Sequence, residues 1–571
     1  MISRRTVVIG GPLALGACAR AGEKYFGDTR PPRGQRLVTT LDNEPPSLDP
    51  ALSSGLIDSL ILAMFEGLTS LHPVTGAPMA GLSTHYESSP DGLRYTFYLR
   101  GHPQPRGTRL PNADDLPKEF SRGLPATPDG VPARWSDGVP VTAHDFVFSW
   151  RRAVDPATAA DLAYLLYPIR NAQSISGGKL APDLLGIRAL GDYTLEADLE
   201  YPAPYFLELI SSRVFAAVPR HVIARAGERW TDPGSIVCSG AFTLHSHRPY
   251  DSIVLRRNSR SYDAPRVALH ELVVLITRDL TTLVNQYRAG VAMLAYPAVP
   301  SIMPLLRRKK DFLSRRAYAS AFFNVNTKTP PFDDVQLRYA LNMATDKRSV
   351  VDLFGGGWIP ASGLIPASAN YQPARSLPVP IDGRVYDVLS FNLPAARALL
   401  SKIAGPLPGR IEYVVPNSPD DMLWAQVLRV QWRRNLGIEI EIRAVDFQMW
   451  IDTFRQGTFP HLADAGSSGG YVDPTWFLDL FNRPDGYGTH WADPLYRKML
   501  AEAKATPDPS LRLARLAECE RRLLRAMPVL PLAHWVDALL KKPFVKGIGN
   551  NLLDRQQFKY AWIDQNWRPA A

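Results

Sequence analysis

His245 and His247 flank a single serine, the one place in this 571-residue chain where two imidazoles stand two positions apart. On a strand such a pair shares a face and could begin a metal site, but a metal also needs further ligands. No third ligand follows at a fitting spacing, so the pair reads as exposed strand residues. The carboxylate pairs Asp333-Asp334 and Asp420-Asp421 sit in loop-like sequence without an acid/base signature. There is no H-E-x-x-H, no G-x-S-x-G and no paired-cysteine motif. Gly177-Gly178-Lys179 is followed by Leu180 and lacks the upstream glycine of a phosphate loop. Nothing here asks for catalysis, a metal or a cofactor, and a non-enzymatic binding role is expected.

A different stretch invites a ligand. Ala465-Gly466-Ser467-Ser468-Gly469-Gly470 is uncharged and nearly bare of side chains. It runs directly into Tyr471-Val472-Asp473-Pro474 and an aromatic segment containing Trp476. Backbone that must lie close to another group favours Gly and Ser, since a Cβ would stand in the way. The stretch therefore reads as the floor of a ligand cleft.

The elements that would position it belong to a large α/β protein. At 571 residues, 45% hydrophobic and 21% charged, the chain is too long for one simple core and should form two or more domains. Arg36 to Leu41 reads as a strand entering Glu44-Pro45-Pro46, whose prolines force an extended path. Thr142 and Asp145 approximate a capping box for a helix buried through Phe146, Trp150, Ala153, Val147 and Val154. Met422 to Asn435 reads as a helix with Leu423, Val427 and Val430 on one face and Gly437 as its stop. Ile438 to Ile442 alternates as a half-exposed strand does. The proline-rich segment 101–133 reads as an inserted surface loop.

The net charge of +10 is spread along the chain. Its densest run, Arg307-Arg308-Lys309-Lys310, has no aromatic interleaving and reads as a solvated helix end, so no nucleic-acid partner is expected. Three cysteines, Cys18, Cys238 and Cys519, give no disulfide framework. Ser3-Arg4-Arg5, the apolar run Val7 to Leu15 and the small residues before Cys18 define an export signal over 1–17 that resembles a lipobox, with Cys18 as the lipidated residue. The arginine pair leaves Sec and twin-arginine export both open. Residues 18–35 read as a tether.

Seven collinear motifs carry a family resemblance: Glu44-Pro-Pro-Ser-Leu-Asp-Pro50, Phe65-Glu-Gly-Leu68, Trp135 to Phe146, Ser239-Gly-Ala-Phe242, Phe323 to Thr327, Pro330 to Val335, and Tyr471-Val-Asp-Pro474. Their order and spacing resemble solute-binding protein family 5, the oligopeptide-binding receptors of bacterial ABC importers. The resemblance implies an α/β, periplasmic-binding-protein-like type II fold with two lobes and three domains around a ligand cleft. Domain I would comprise 36–56, 220–318 and 539–571; domain II, 57–219; domain III, 319–538. It further implies hinge closure on a peptide or peptide-like solute and delivery to an ABC permease and its ATPase. The receptor is expected to be a monomer on the periplasmic side, held to the membrane by its lipid. A surface lipoprotein without transport, or a receptor for an oligosaccharide or metal chelate, is the alternative.

By the same resemblance the ligand backbone would lie between Glu44-Pro45-Pro46 and Gly466-Ser467-Ser468, with Ser239, Gly240, Tyr471 and Asp473 among the site residues. Phe242, Phe447, Phe454 and Trp476 are expected as aromatic lining, although each could equally be core. Peptide receptors carry an aspartate for the ligand's ammonium where this chain has Gly470, and an arginine where it has Phe454. The usual tryptophan and cysteine are Ser467 and Ser468, and Ala319 stands near the disulfide partner position. An ammonium buried without a counter-charge is disfavoured. The resemblance therefore implies an end-blocked peptide, a conjugate or a neutral solute, unless Asp464 or Asp473 supplies the carboxylate. On that reading Gly470→Asp should raise affinity for free-amine peptides.

Overall fold

The computed structural model describes residues 24–53, 57–296, 302–354, 357–403, 410–483 and 485–569. The expected signal segment and Cys18 lie outside them. Three larger sheets organise the chain. In the first, β1 (Arg36–Leu41) runs parallel to Glu271–Ile276, and the sheet continues through Ser252–Arg257 to Phe242–Arg248. A five-stranded antiparallel sheet takes its strands from residues 83–109 and 187–198.

The third sheet centres on β2 (Phe312–Val325), flanked antiparallel by β3 (Leu462–Ser468) and β4 (Val529–Lys541). Beyond β3 it turns parallel through Ile411–Pro416 and Ile440–Val445. β2 and β4 are 14 and 13 residues long, more than twice an ordinary strand. Their register shifts between Arg316 and Ser320, where Tyr318 N–H instead donates to Leu552 O at 2.8 Å.

Two large apolar cores divide the molecule. One gathers side chains from Leu37 to Leu294, Tyr471 and a C-terminal group from Leu539 to Ile563; the other runs from Tyr318 to Ala533. Long β2 and β4 pass from one core toward the other, and the expected domain limits at 318/319 and 538/539 fall inside them. The Trp476 ring packs against both cores.

Local elements follow their sequence signals with instructive exceptions. Thr142 and Asp145 form the capping box of Ala143–Val154, and Phe146 and Trp150 are fully buried. Gly437 stops the helix Pro419–Leu436 at φ 69°, in the left-handed region glycine tolerates. The buried face of that helix is Trp424, Leu428 and Trp432, while Val430 is 61% exposed. The indoles bury more apolar surface than the Leu/Val stripe and turn the helix toward themselves. The strand begins two residues later than its alternation suggests, at Ile440.

Segment 101–133 is anchored. Ala113, Leu116 and Phe120 form a small core with Met79 and Tyr560, and Arg266 Nη1 donates to Leu124 O at 2.8 Å. The tether also docks from Lys24 onward: Phe26 N–H donates to the Asp311 carboxylate at 2.9 Å, and Phe26 stacks on Tyr287. Cys238 and Cys519 are buried and free. No described helix is long and apolar enough to cross a membrane.

Candidate functional site

β3 ends in Gly466-Ser467-Ser468, whose residues pair with Ala321, Ser320 and Ala319 of β2. Its other edge pairs with Ile411–Pro416 only at Leu462 and Ala463. Beyond those two residues the strand points into a cavity of about 640 Å³, a volume suited to a small organic ligand. Ser468, Gly469, Gly470 and Trp476 form one wall. Thr39 to Asp42, at the end of β1, form another, and Trp535 to Ala538 of β4 a third.

The glycines serve the protein's own aromatics. A Cβ on Gly470 would lie 2.5 Å from the Trp476 ring, and one on Gly469 would lie 2.4 Å from the Tyr318 ring. Trp476 is fixed in turn, its Nε1 donating to Ser467 Oγ at 2.9 Å and its ring standing edge-on to Tyr471. The bare sequence thus lets Trp476 line the wall and Tyr318 pack in the core behind it.

Several expected lining residues lie elsewhere, for clear reasons. Glu44 is engaged by His247 Nε2 at 2.6 Å and by Tyr250 N–H at 2.8 Å. Pro45 is buried and Pro46 exposed, two or more residues past the lining strand. Ser239 Oγ accepts from Glu66 N–H, and Gly240 lies against the end of the helix Asp58–Met64 with no room for a Cβ. Phe242 is fully buried in the first core. Phe454 is buried in the second core, edge-on to Tyr487, whereas Phe447 is 66% exposed.

Asp473 is a structural anchor. Its carboxylate takes Arg512 bidentately at 2.8 and 2.9 Å and accepts from Thr475 N–H at 3.0 Å. Tyr471 stacks on Tyr205 with ring centroids 5.1 Å apart. Asp464 accepts from Tyr413 Oη, and burial followed by the charge of Asp421 pushes its pKa up to about 8. Neither Asp464 nor Asp473 is among the cavity-lining residues.

The charge expectation is corrected. Among the described residues, four carboxylates line the cavity: Asp42, Asp58, Asp537 and Asp554. Asp58 sits one guanidinium away from Gly470, because Arg555 donates both to Asp58 Oδ2 and to Gly470 O, each at 2.7 Å. Arg213 pairs with the other oxygen of Asp58. Burial pushes Asp58 up, but Arg555 and Arg213 outweigh it and hold the carboxyl below its ordinary range. Asp554, directly before Arg555 in the chain, pairs with Arg315 at 2.5 Å and accepts from Gln556 Nε2 at 2.6 Å. Asp537 lies opposite Arg315 in the β2–β4 register, and burial with the Asp554 charge pushes it up to about 6.

Sequence reading missed Asp58, Tyr164, Arg213, Trp358, Trp535, Asp537 and Arg555. One signal was present: Trp535 and Asp537 alternate on a mostly apolar strand, and an acid on an inward face needs a reason. Among the described residues, no group of three His, Cys, Asp or Glu side chains could hold a metal.

A roomy cavity walled by glycine-bearing backbone and strands of two sheets, between two apolar cores, defines a two-lobed solute binder. The chain belongs to the family described as bacterial extracellular solute-binding proteins, family 5 Middle, whose profile matches residues 132–489, more than half of its length. It is 29% identical over 542 residues to the periplasmic oligopeptide-binding protein OppA of Salmonella typhimurium, covering 93% of this chain and 92% of that protein. The structure of the Escherichia coli murein tripeptide binding protein MppA superposes with a TM-score of 0.77 at 27% identity, over 94% of this chain and 99% of MppA. Haemophilus influenzae OppA in complex with RPPGFSPFR gives a TM-score of 0.75 at 26% identity, over 94% and 100% of the two chains. The α/β type II fold expected from the motifs is the fold of these proteins.

Proposed function

We propose that this protein is the substrate-binding receptor of an ABC importer, capturing a peptide or peptide-like solute in the cavity between its lobes. The observation that carries this reading is the cavity of about 640 Å³, walled by Ser468–Gly470 on one side and Thr39–Asp42 on the other. Each wall offers extended main chain, which suits a ligand held as an added strand. The relatives named for oligopeptides and murein tripeptide support the same ligand class.

The domain division set out from sequence fits this role. Long strands β2 and β4 would act as the hinge, with the register shift at Arg316–Ser320 as its flexing point. Lobe closure would then present the loaded receptor to the permease and ATPase, with no covalent chemistry by the receptor. Cys18 would carry the lipid that keeps an extracytoplasmic monomer at the membrane, and several acyl chains are needed for stable anchoring.

The test is mass spectrometry of ligand released by mild denaturation from protein exported in a bacterial host. Recovery of peptides or peptide conjugates is the expected result. Recovery of only sugars, lipids or metal chelates would overturn the peptide reading. For the anchor, Cys18→Ser should move the protein from membrane to soluble fractions, and an unchanged distribution would remove the lipoprotein assignment.

A further inference from the structure

Asp58, Asp537 and Asp554 meet Arg213, Arg315 and Arg555 around the cavity, and the pairing is uneven. Beside Gly470, Asp58 is shared by Arg213 and Arg555. Asp554, the chain neighbour of Arg555, pairs with Arg315, which also lies opposite Asp537 in the β2–β4 register. Asp554 is satisfied there: it also accepts from Gln556 Nε2 and from Tyr296 Oη. The Asp537 carboxylate makes no ion pair or hydrogen bond with any described residue, yet it lines the cavity on a strand where its immediate neighbours are apolar. A carboxylate held partly out of water without a partner is costly, and a bound cation would relieve that cost.

Gln556 is a buried support: its Nε2 donates to Asp554 Oδ1 at 2.6 Å, and its Oε1 is closed off from solvent. The Asp537 side chain is flanked by aromatic surface. Trp535 lies two residues before Asp537 on the same strand face, and it stacks with Trp358 at 5.9 Å. Indole rings beside a carboxylate suit a cation with an apolar stem.

We propose that Asp537, backed by Asp554 and flanked by Trp535, forms the seat for a cationic nitrogen, ammonium or guanidinium, of the bound solute. The seat rests on the reading of the cavity as the solute site and adds the charge class of the solute. A cation beside Asp58 would meet a carboxylate already shared by two guanidinium groups, whereas at Asp537 it completes an unmatched charge. The cavity therefore selects a solute with its positive group toward β4.

The test is calorimetric titration of the whole receptor, freed of ligand by denaturation and refolding. Four probes are used: Ala-Ala-Ala with a free amine, its N-acetyl amide, N-acetyl-Ala-Lys-Ala amide, and the same peptide with norleucine for lysine. At least one cationic probe should bind about tenfold or more tighter than its neutral counterpart, the scale of one close charge pair. Which of the two does so tells an N-terminal ammonium from a side-chain cation. Asp537→Asn should abolish the preference by bringing the cationic probe down to the affinity of its neutral counterpart, and Asp537→Glu should restore part of it. Equal binding of cationic and neutral probes, or a preference that survives Asp537→Asn, overturns the seat. If no peptide binds, the peptide reading fails, and the seat is decided by thermal protection with pentylammonium against pentanol. Protection of the wild type by the amine alone, lost in Asp537→Asn, upholds it; its absence overturns it.

Discussion

Arg555 joins Gly470 to Asp58: one guanidinium donates through Nη2 to the glycine carbonyl and through Nε to the carboxylate, both at 2.7 Å. Ser212 Oγ reaches the same carbonyl at 3.3 Å. The contact ties the loop after β3 to the helix Asp58–Met64 and to the C-terminal segment. Arg555→Met keeps the apolar stem and removes both bonds, leaving Asp58 with Arg213 alone. Breaking a buried ion pair by removing one partner costs roughly 3 kcal/mol, so urea unfolding should move to lower concentration by a corresponding amount. With the tie gone, small-angle scattering of the unliganded variant should give a larger radius of gyration than the wild type.

Gly470 has no room for a side chain. An added Cβ meets the Trp476 ring at 2.5 Å, and that ring is held by Ser467 and by Tyr471. Gly470→Ala should therefore cost about 1–3 kcal/mol through overpacking and weaken ligand binding by displacing Trp476. Gly470→Asp should behave no better, opposite to the gain in free-amine affinity expected from sequence. Trp476 fluorescence and a thermal melt would reveal both effects, and an unperturbed melt for Gly470→Ala would contradict the packing argument.

Why that site was misread in sequence has a physical answer. The motifs led to the correct fold because they are local: the Thr142–Asp145 cap and the Gly437 stop act within a few residues. Of the Gly466–Gly470 stretch, Ser468, Gly469 and Gly470 line the cavity, while Gly466 and Ser467 do not. The charges were not legible, since Asp58, Arg213 and Arg555 meet across intervals of 155 and 497 residues. Only the folded chain brings them together. Phe242, Phe454 and Asp473 resembled site residues because a motif records that a residue type is required. It does not say whether a ligand or the core requires it.

Asp473 illustrates the difference and can be tested directly. Its carboxylate holds Arg512 in a bidentate pair, and that guanidinium lies 5.1 Å over the Tyr205 ring. Asp473→Ala strands a buried arginine and should lower stability by roughly 3–5 kcal/mol. Asp473→Asn keeps the cap on Thr475 and should cost less. In protein that remains folded at low temperature, affinity for the co-purified ligand should stay within about twofold of wild type. A large loss of affinity with an unchanged melt would return Asp473 to the binding site.

The last prediction concerns pH. Asp537 in the folded protein titrates at about 6, raised first by burial and then by the charge of Asp554, against the opposing pull of Arg315. An unfolded aspartate titrates near about 3.9. Between those values the folded chain holds a proton that the unfolded chain has lost, so unliganded stability should fall as pH rises from about 4 to about 6 and then level off. Asp537→Asn should flatten that part of the profile. Asp554 is raised by the same burial and shares Arg315, so the variant is what isolates the Asp537 contribution. A bound cation favours the ionised carboxylate and therefore acts in the opposite direction. Affinity for a cationic solute should be full above about pH 6 and decline as the pH drops below it, by up to about tenfold per pH unit. Titrations at pH 7.5 and pH 5 in two buffers of different ionisation enthalpy would measure both the decline and the proton released near pH 6. Neutral solutes should show neither.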